Sequence, residues 1–208
     1  MTSFKELTVS EAVLKNPGVY VTGIALFCNF IMVFITFIYV PSFLAMYSGL
    51  PPEQVSILSF IFYLMGFPSS IAVGIIHAKL KLGSPLAAIG LLLNAVGTIA
   101  MLYVKDFTSL LICIICIGWS NLWPSSSCLS IAGTIVPPKF AGTSVGVVSC
   151  LGFVGGCVGS FVGGMYMIAR YGFPAGWWLI CITSLIGLCF AILDIRFERR
   201  ALAKASTA

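Results

Sequence analysis

The stretch Gly142–Ile168, GTSVGVVSCLGFVGGCVGSFVGGMYMI, has no charged residue and carries eight glycines in 27 positions. In water each glycine inside a helix costs roughly 1 kcal/mol relative to alanine, so a soluble chain would not keep this run helical. A bilayer reverses the argument. A spanning segment must hydrogen-bond its own backbone, and a helix is nearly the only way for one segment to do so. Twenty-seven residues cross the hydrocarbon core with some tilt. On helical spacing Ser149, Gly152, Gly156, Gly159 and Gly163 share one stripe. Such a stripe lets another helix backbone approach closely, either inside the protein's own bundle or as a sliding surface between two moving bundles. The two uses are compatible.

The rest of the chain agrees with a membrane setting. Sixty per cent of the 208 residues are hydrophobic and only 8% are charged, against about 25% charged in a soluble domain. Basic residues fall in short loops and at the ends, so the net charge of +5 points to orientation rather than to nucleic acid. All eight cysteines lie in apolar segments, and the pair Cys113/Cys116 has no histidine or second CxxC beside it. They read as small packing residues, with no metal or cofactor expected. The first 17 residues are polar with mixed charge, unlike a cleavable signal peptide.

Six apolar runs follow, at about 18–40, 55–76, 85–104, 109–136, 142–168 and 176–195. They predict an all-α polytopic bundle over 18–195, between an N-terminal segment (1–17) and a basic tail (196–208). Pro41 is expected to end the first run, and Pro124 to kink the fourth near Ser120. Six spans put both termini on one side of the membrane. The N-terminal segment, second loop, fourth loop and tail hold nine Lys/Arg (Lys5, Lys15, Lys79, Lys81, Lys139, Arg196, Arg199, Arg200, Lys204). The opposite loops hold only Lys105 and Arg170. The positive-inside rule then places both termini in the cytoplasm, in a plasma or inner membrane.

No catalytic constellation is visible, and an enzyme is not expected. His77, the only histidine, sits at a helix end beside lysines, and Asp194 with Arg196 reads as an interfacial charge pair. The polar content is uncharged instead. Thr22, Asn29 and Thr36 recur every seven residues on the first span, and Asn121 and Ser125 share a face of the fourth, bordered by Trp119 and Trp123. Buried asparagine is costly in lipid without a partner. Asn29, Thr36, Trp119, Asn121, Trp123 and Ser125 therefore have two readings: interhelical hydrogen-bond glue, or the lining of an aqueous cavity that binds a polar solute.

Several motifs, taken in order, resemble the C-terminal six-helix half of a major facilitator superfamily transporter. They are Tyr39-Val40-Pro41-Ser42-Phe43-Leu44, Gly74 before the basic second loop, Trp123-Pro124-Ser125, and Pro137 to Gly146. Gly155-Gly156-Cys157-Val158-Gly159 and Gly172 to Trp177 complete the pattern, which covers residues 15–197. The resemblance implies two inverted three-helix repeats and movement of a small solute by alternating access. It implies that spans 1 and 4 face the cavity, spans 2 and 5 the other half, and spans 3 and 6 the outside. The expected half-interface is Ser59, Tyr63, Gly66 and Ser70 with Ser149, Gly152, Gly156 and Gly159. Ala78 stands where the family has an aspartate, so a charged latch in that loop is not expected. Within the family the features resemble permeases for organic anions or sugar phosphates, which suggests a small polar or anionic organic solute. Family members carry about twelve spans and this chain six, which leaves a fragment, a split-gene product and a self-pairing half all open. The expected partners are the bilayer, the solute and a complementary half or a second copy. The competing reading is a truncated or vestigial non-transporting module that docks a partner through its glycine-rich helix.

Overall fold

The computed structural model describes residues 8–80 and 83–206, with side chains to Lys79 and from Gly83 to Ala203. Lys5 and Lys81 lie outside the described residues, as does the side chain of Lys204. All regular structure among the described residues is helical: α1 (Pro17–Tyr47), α2 (Pro52–Leu80), α3 (Ser84–Tyr103), α4 (Phe107–Asn121), α5 (Trp123–Thr134), α6 (Ala141–Val158), α7 (Ala169–Tyr171) and α8 (Phe173–Ser206). A π-helical turn, Ser10–Leu14, precedes α1, and a π-helical stretch, Gly159–Ile168, joins α6 to α7. Six helical segments among the described residues are long and apolar enough to cross a membrane, with α4–α5 and α6–α7 each counting as one.

Local chemistry sets the helix ends. Asn16 caps α1, its side chain accepting from the Gly18 N–H at 3.0 Å, with Pro17 in the first turn. Asp106 caps α4 by accepting from the Ser109 N–H at 2.8 Å. Those hydrogen bonds hold the Asp106 carboxyl below its ordinary range. Pro41 does not end the first helix, which runs on to Tyr47. A proline leaves the carbonyl four residues back without its helical donor, here Phe37. The Tyr63 hydroxyl of α2 donates to that carbonyl at 2.6 Å, so the helix continues with its acceptor satisfied. Pro124 does interrupt the fourth span, at Leu122 between α4 and α5. The basic tail continues α8 as helix through Ser206.

The central element is α1, which packs on α6, α8, α5 and the π-helical stretch. The pair α4–α5 packs on α2 and α3, and α3 packs on α8. Two apolar cores result. One, toward the end where α1 begins and α8 finishes, contains Val19, Leu26, Leu91, Cys128, Ala132 and Val148. The other contains Ile31, Ile35, Phe43, Phe62, Ile114 and Trp177.

Candidate functional site

Polar side chains interrupt the apolar interior where one core gives way to the other. Asn29 lies between the two sets on α1, Asn94 between them on α3, and Asn121 at the end of α4. All three are buried, at 0%, 0% and 1% exposure. The proline break builds part of this waist. The helix breaks at Leu122, and beside the break Asn29 Nδ2 donates to the Asn121 backbone carbonyl at 3.3 Å. The Asn121 side chain donates to Thr36 Oγ1 at 3.1 Å, and Thr36 donates to its own helix at the Met32 and Val33 carbonyls. Asn94 donates to Ser120 Oγ at 3.1 Å, tying α3 to α4.

Of the residues expected at a solute site, Asn29, Thr36 and Asn121 thus meet one another between α1 and α4. Ser125 is buried beside them and donates to the Leu122 carbonyl of its own span at 2.8 Å. Trp119 and Trp123 are half-buried, and the Trp123 Nε1 is a buried donor without a partner. Asn29 Oδ1 and Asn94 Oδ1 are likewise buried without a partner. The asparagines are buried, and their hydrogen bonds run between helices.

The expected half-interface is placed differently. Gly152, Gly156 and Gly159 are buried inside the bundle against α1, and Ser149 is half-buried. The reason is close approach. A Cβ on Gly155 would collide with the Phe27 carbonyl, and one on Gly159 would lie 2.5 Å from the Ile31 carbonyl. Small residues on α6 and the π-helical stretch let the α1 backbone in, and a side chain on either face would hold it away. On α2, Gly66 is buried under Leu122, while Ser59 and Ser70 are half-buried and bonded to their own helix. Tyr63 alone of the eight is exposed. The outward face of α2 is instead Phe60, Leu64, Phe67, Ile71 and Ile75.

A second polar centre was not expected from sequence. Near the start of α1, Asp194 is 1% exposed, with Oδ2 2.7 Å from Thr22 Oγ1 and Oδ1 without a partner. One turn on, Glu198 is equally buried and accepts from the Gly83 N–H, the Ser84 N–H and the Ser84 hydroxyl at 2.6, 3.0 and 2.7 Å, capping α3. The spacing of Asp194 and Glu198, four residues apart on one helix face, was the signal available for it. It was masked by the adjacent arginines, which are exposed.

No curated protein matches the chain. The sequence pattern of the Major Facilitator Superfamily matches residues 7–207, nearly its whole length. That match and the six membrane-capable helices lead to one conclusion: the chain belongs to the Major Facilitator Superfamily and is an integral membrane protein of a transporter family, with the form of one six-helix half.

Proposed function

We propose that the chain is half of a secondary transporter that moves a small polar or anionic organic solute by alternating access. The observation that carries the reading is uneven burial. The second and fifth spans have only 22% and 28% of their apolar windows buried, against 39–61% for the others. These are the two spans the family turns toward its other half. The packing also exchanges the two ends of the chain: α1 lies on spans 5 and 6, and α4 on spans 2 and 3. Inverted three-helix repeats produce that pattern.

On this reading both termini are cytoplasmic, and the second body is a complementary half or another copy of this chain. The solute sits beside the polar waist at Asn29, Thr36, Asn121 and Ser125, with Trp119 and Trp123 as flat walls. The unpartnered Asn29 Oδ1 and Trp123 Nε1 supply an acceptor and a donor there. The competing docking module is less well supported, because α1 already covers the glycine stripe it would dock through. A thermal-shift screen of the purified protein against organic anions and sugar phosphates tests the proposal. A solute-specific upward shift that Asn121→Ala abolishes supports it. A shift unchanged by that substitution removes the waist from the site.

A further inference from the structure

We infer that Asp194 is a proton-binding site, holding an exchangeable proton on Oδ2 that it donates to Thr22 Oγ1. Thr22 has one hydroxyl hydrogen, yet its Oγ1 lies 2.9 Å from the Gly18 carbonyl and 2.7 Å from Asp194 Oδ2. Both of those neighbours accept, and a single hydrogen does not serve both well. Thr36, two heptads along the same helix, shows how such a hydroxyl settles. It donates back to its own helix, and the Asn121 amide donates to it from α4. Asp194 occupies the amide's place at Thr22, and a carboxyl donates only when protonated.

The surroundings of Asp194 decide between the two forms. Ionised, it would hold a buried charge with at most one hydrogen bond, because Oδ1 has no partner. Protonated, Oδ2 donates to Thr22, Thr22 donates to Gly18, and only a neutral carbonyl oxygen is left unpaired. An unpaired neutral acceptor costs far less than an unpaired buried charge. From α8 itself Glu198 faces Asp194, and it is the charged group acting on it among the described residues. Glu198 already accepts three hydrogen bonds from the start of α3, whereas Asp194 has one neighbour in bonding distance. From α5 Cys128 approaches, and from α1 Thr22. His77 of α2 packs over Gly83, Lys79 is exposed, and so are Arg196, Arg199 and Arg200. Two carboxyls a turn apart thus have different tasks: Glu198 caps α3, and Asp194 carries the proton that joins α8 to α1. Any use of this proton in coupled transport rests on the transporter reading above; the site itself does not.

Infrared spectroscopy of the purified protein tests it without any solute, since only six carboxyl side chains are present. The expected result is a protonated-carboxyl stretching band near neutral pH that moves in heavy water and is lost in Asp194→Asn. Glu198→Gln and Asp106→Asn should retain it. Absence of the band from the wild type, or its persistence in Asp194→Asn, overturns the assignment. Should Asp194→Asn fail to fold, Thr22→Val supplies the second measurement, because loss of the acceptor raises the band's frequency. An unshifted band in Thr22→Val overturns the proposed donor–acceptor pair.

Discussion

The Tyr63 hydroxyl donates to the Phe37 carbonyl at 2.6 Å, the acceptor that Pro41 leaves open in the helix four residues later. One side chain of α2 thereby keeps α1 continuous across a proline. Tyr63→Phe keeps the ring, which packs on Phe37 and Phe62, and removes only the donor. The expected loss is about 0.6 kcal/mol, the average for interhelical hydrogen bonds in membranes, and at most about 1.7 kcal/mol. Unfolding in detergent measures it, and spin-label distances across Pro41 should broaden in the variant. Unchanged stability and unchanged distances would show that α1 does not need this bond.

The glycines of the fifth span differ in what they touch. Gly155 and Gly159 face the α1 backbone at Phe27 and Ile31, whereas Gly146 is exposed with nothing within 4 Å of an added Cβ. Gly155→Ala and Gly159→Ala should each destabilise the bundle by about 1 to 3 kcal/mol, the usual range for overpacking. Gly146→Ala should be neutral or slightly stabilising, because it gains helix propensity without a collision. Thermal unfolding of the three variants checks this, and equal effects at all three positions would place the stripe elsewhere.

What the sequence carried, and what it did not, follows from the physics of each feature. The six helices are legible because lipid leaves a long uncharged run hardly any other structure, even one with eight glycines. The meeting of Asn29 with Asn121 is legible because each is costly alone in lipid and a partner on another span relieves both. The facing of the glycine stripe is not. Small residues invite close approach but do not say which helix arrives, and here it is α1. Continuation of α1 past Pro41 depends on a tyrosine 26 positions from its acceptor. The pairing of Thr22 with Asp194 joins residues 172 apart, and no periodicity along either helix reports it.

The Asn121–Thr36 bond separates packing from solute binding at the waist. A double-mutant cycle of Thr36→Val and Asn121→Ala should give a coupling of about 0.6 kcal/mol, and at most about 1.7 kcal/mol, since each is buried and bonded to the other. Residues lining an open aqueous cavity would couple weakly and would also accept a water-soluble thiol reagent when replaced by cysteine. Coupling near zero together with labelling at Thr36→Cys would show the waist to be hydrated rather than closed.

Orientation rests on the nine-to-two division of Lys and Arg between the loops. Lys105 and Arg170 are both exposed, and Arg170 stacks over Tyr166 and Tyr171. In a background with the native cysteines replaced, Lys105→Cys and Arg170→Cys should react with an impermeant maleimide added outside intact cells. Lys139→Cys, on an exposed turn at the other end of the bundle, should react only in inside-out vesicles. The reverse pattern would invert the topology.

The last prediction concerns what covers the second and fifth spans. Alternating access needs two bodies that rock about a site, and one six-helix bundle supplies one of them. Its least buried surfaces are those of α2 and the α6–π segment, where Phe67 is 73% and Phe161 64% exposed. Val96 on α3 and Ile182 on α8 are also exposed, at 59% and 53%, but belong to spans that the family leaves in lipid. Span burial marks α2 and the α6–π segment as the partner-facing surfaces, and crosslinking tests that at single positions. Single cysteines at Phe67 and Phe161 should form disulfide-linked or bridged species with the second body in native membranes. Cysteines at Val96 and Ile182 should remain uncrosslinked and react with lipid-soluble reagents. If the second body is another copy, the product has twice the mass of the chain; if it is a complementary half, the product contains a different polypeptide. Uptake by vesicles holding one verified monomer each would overturn the requirement for a second body altogether.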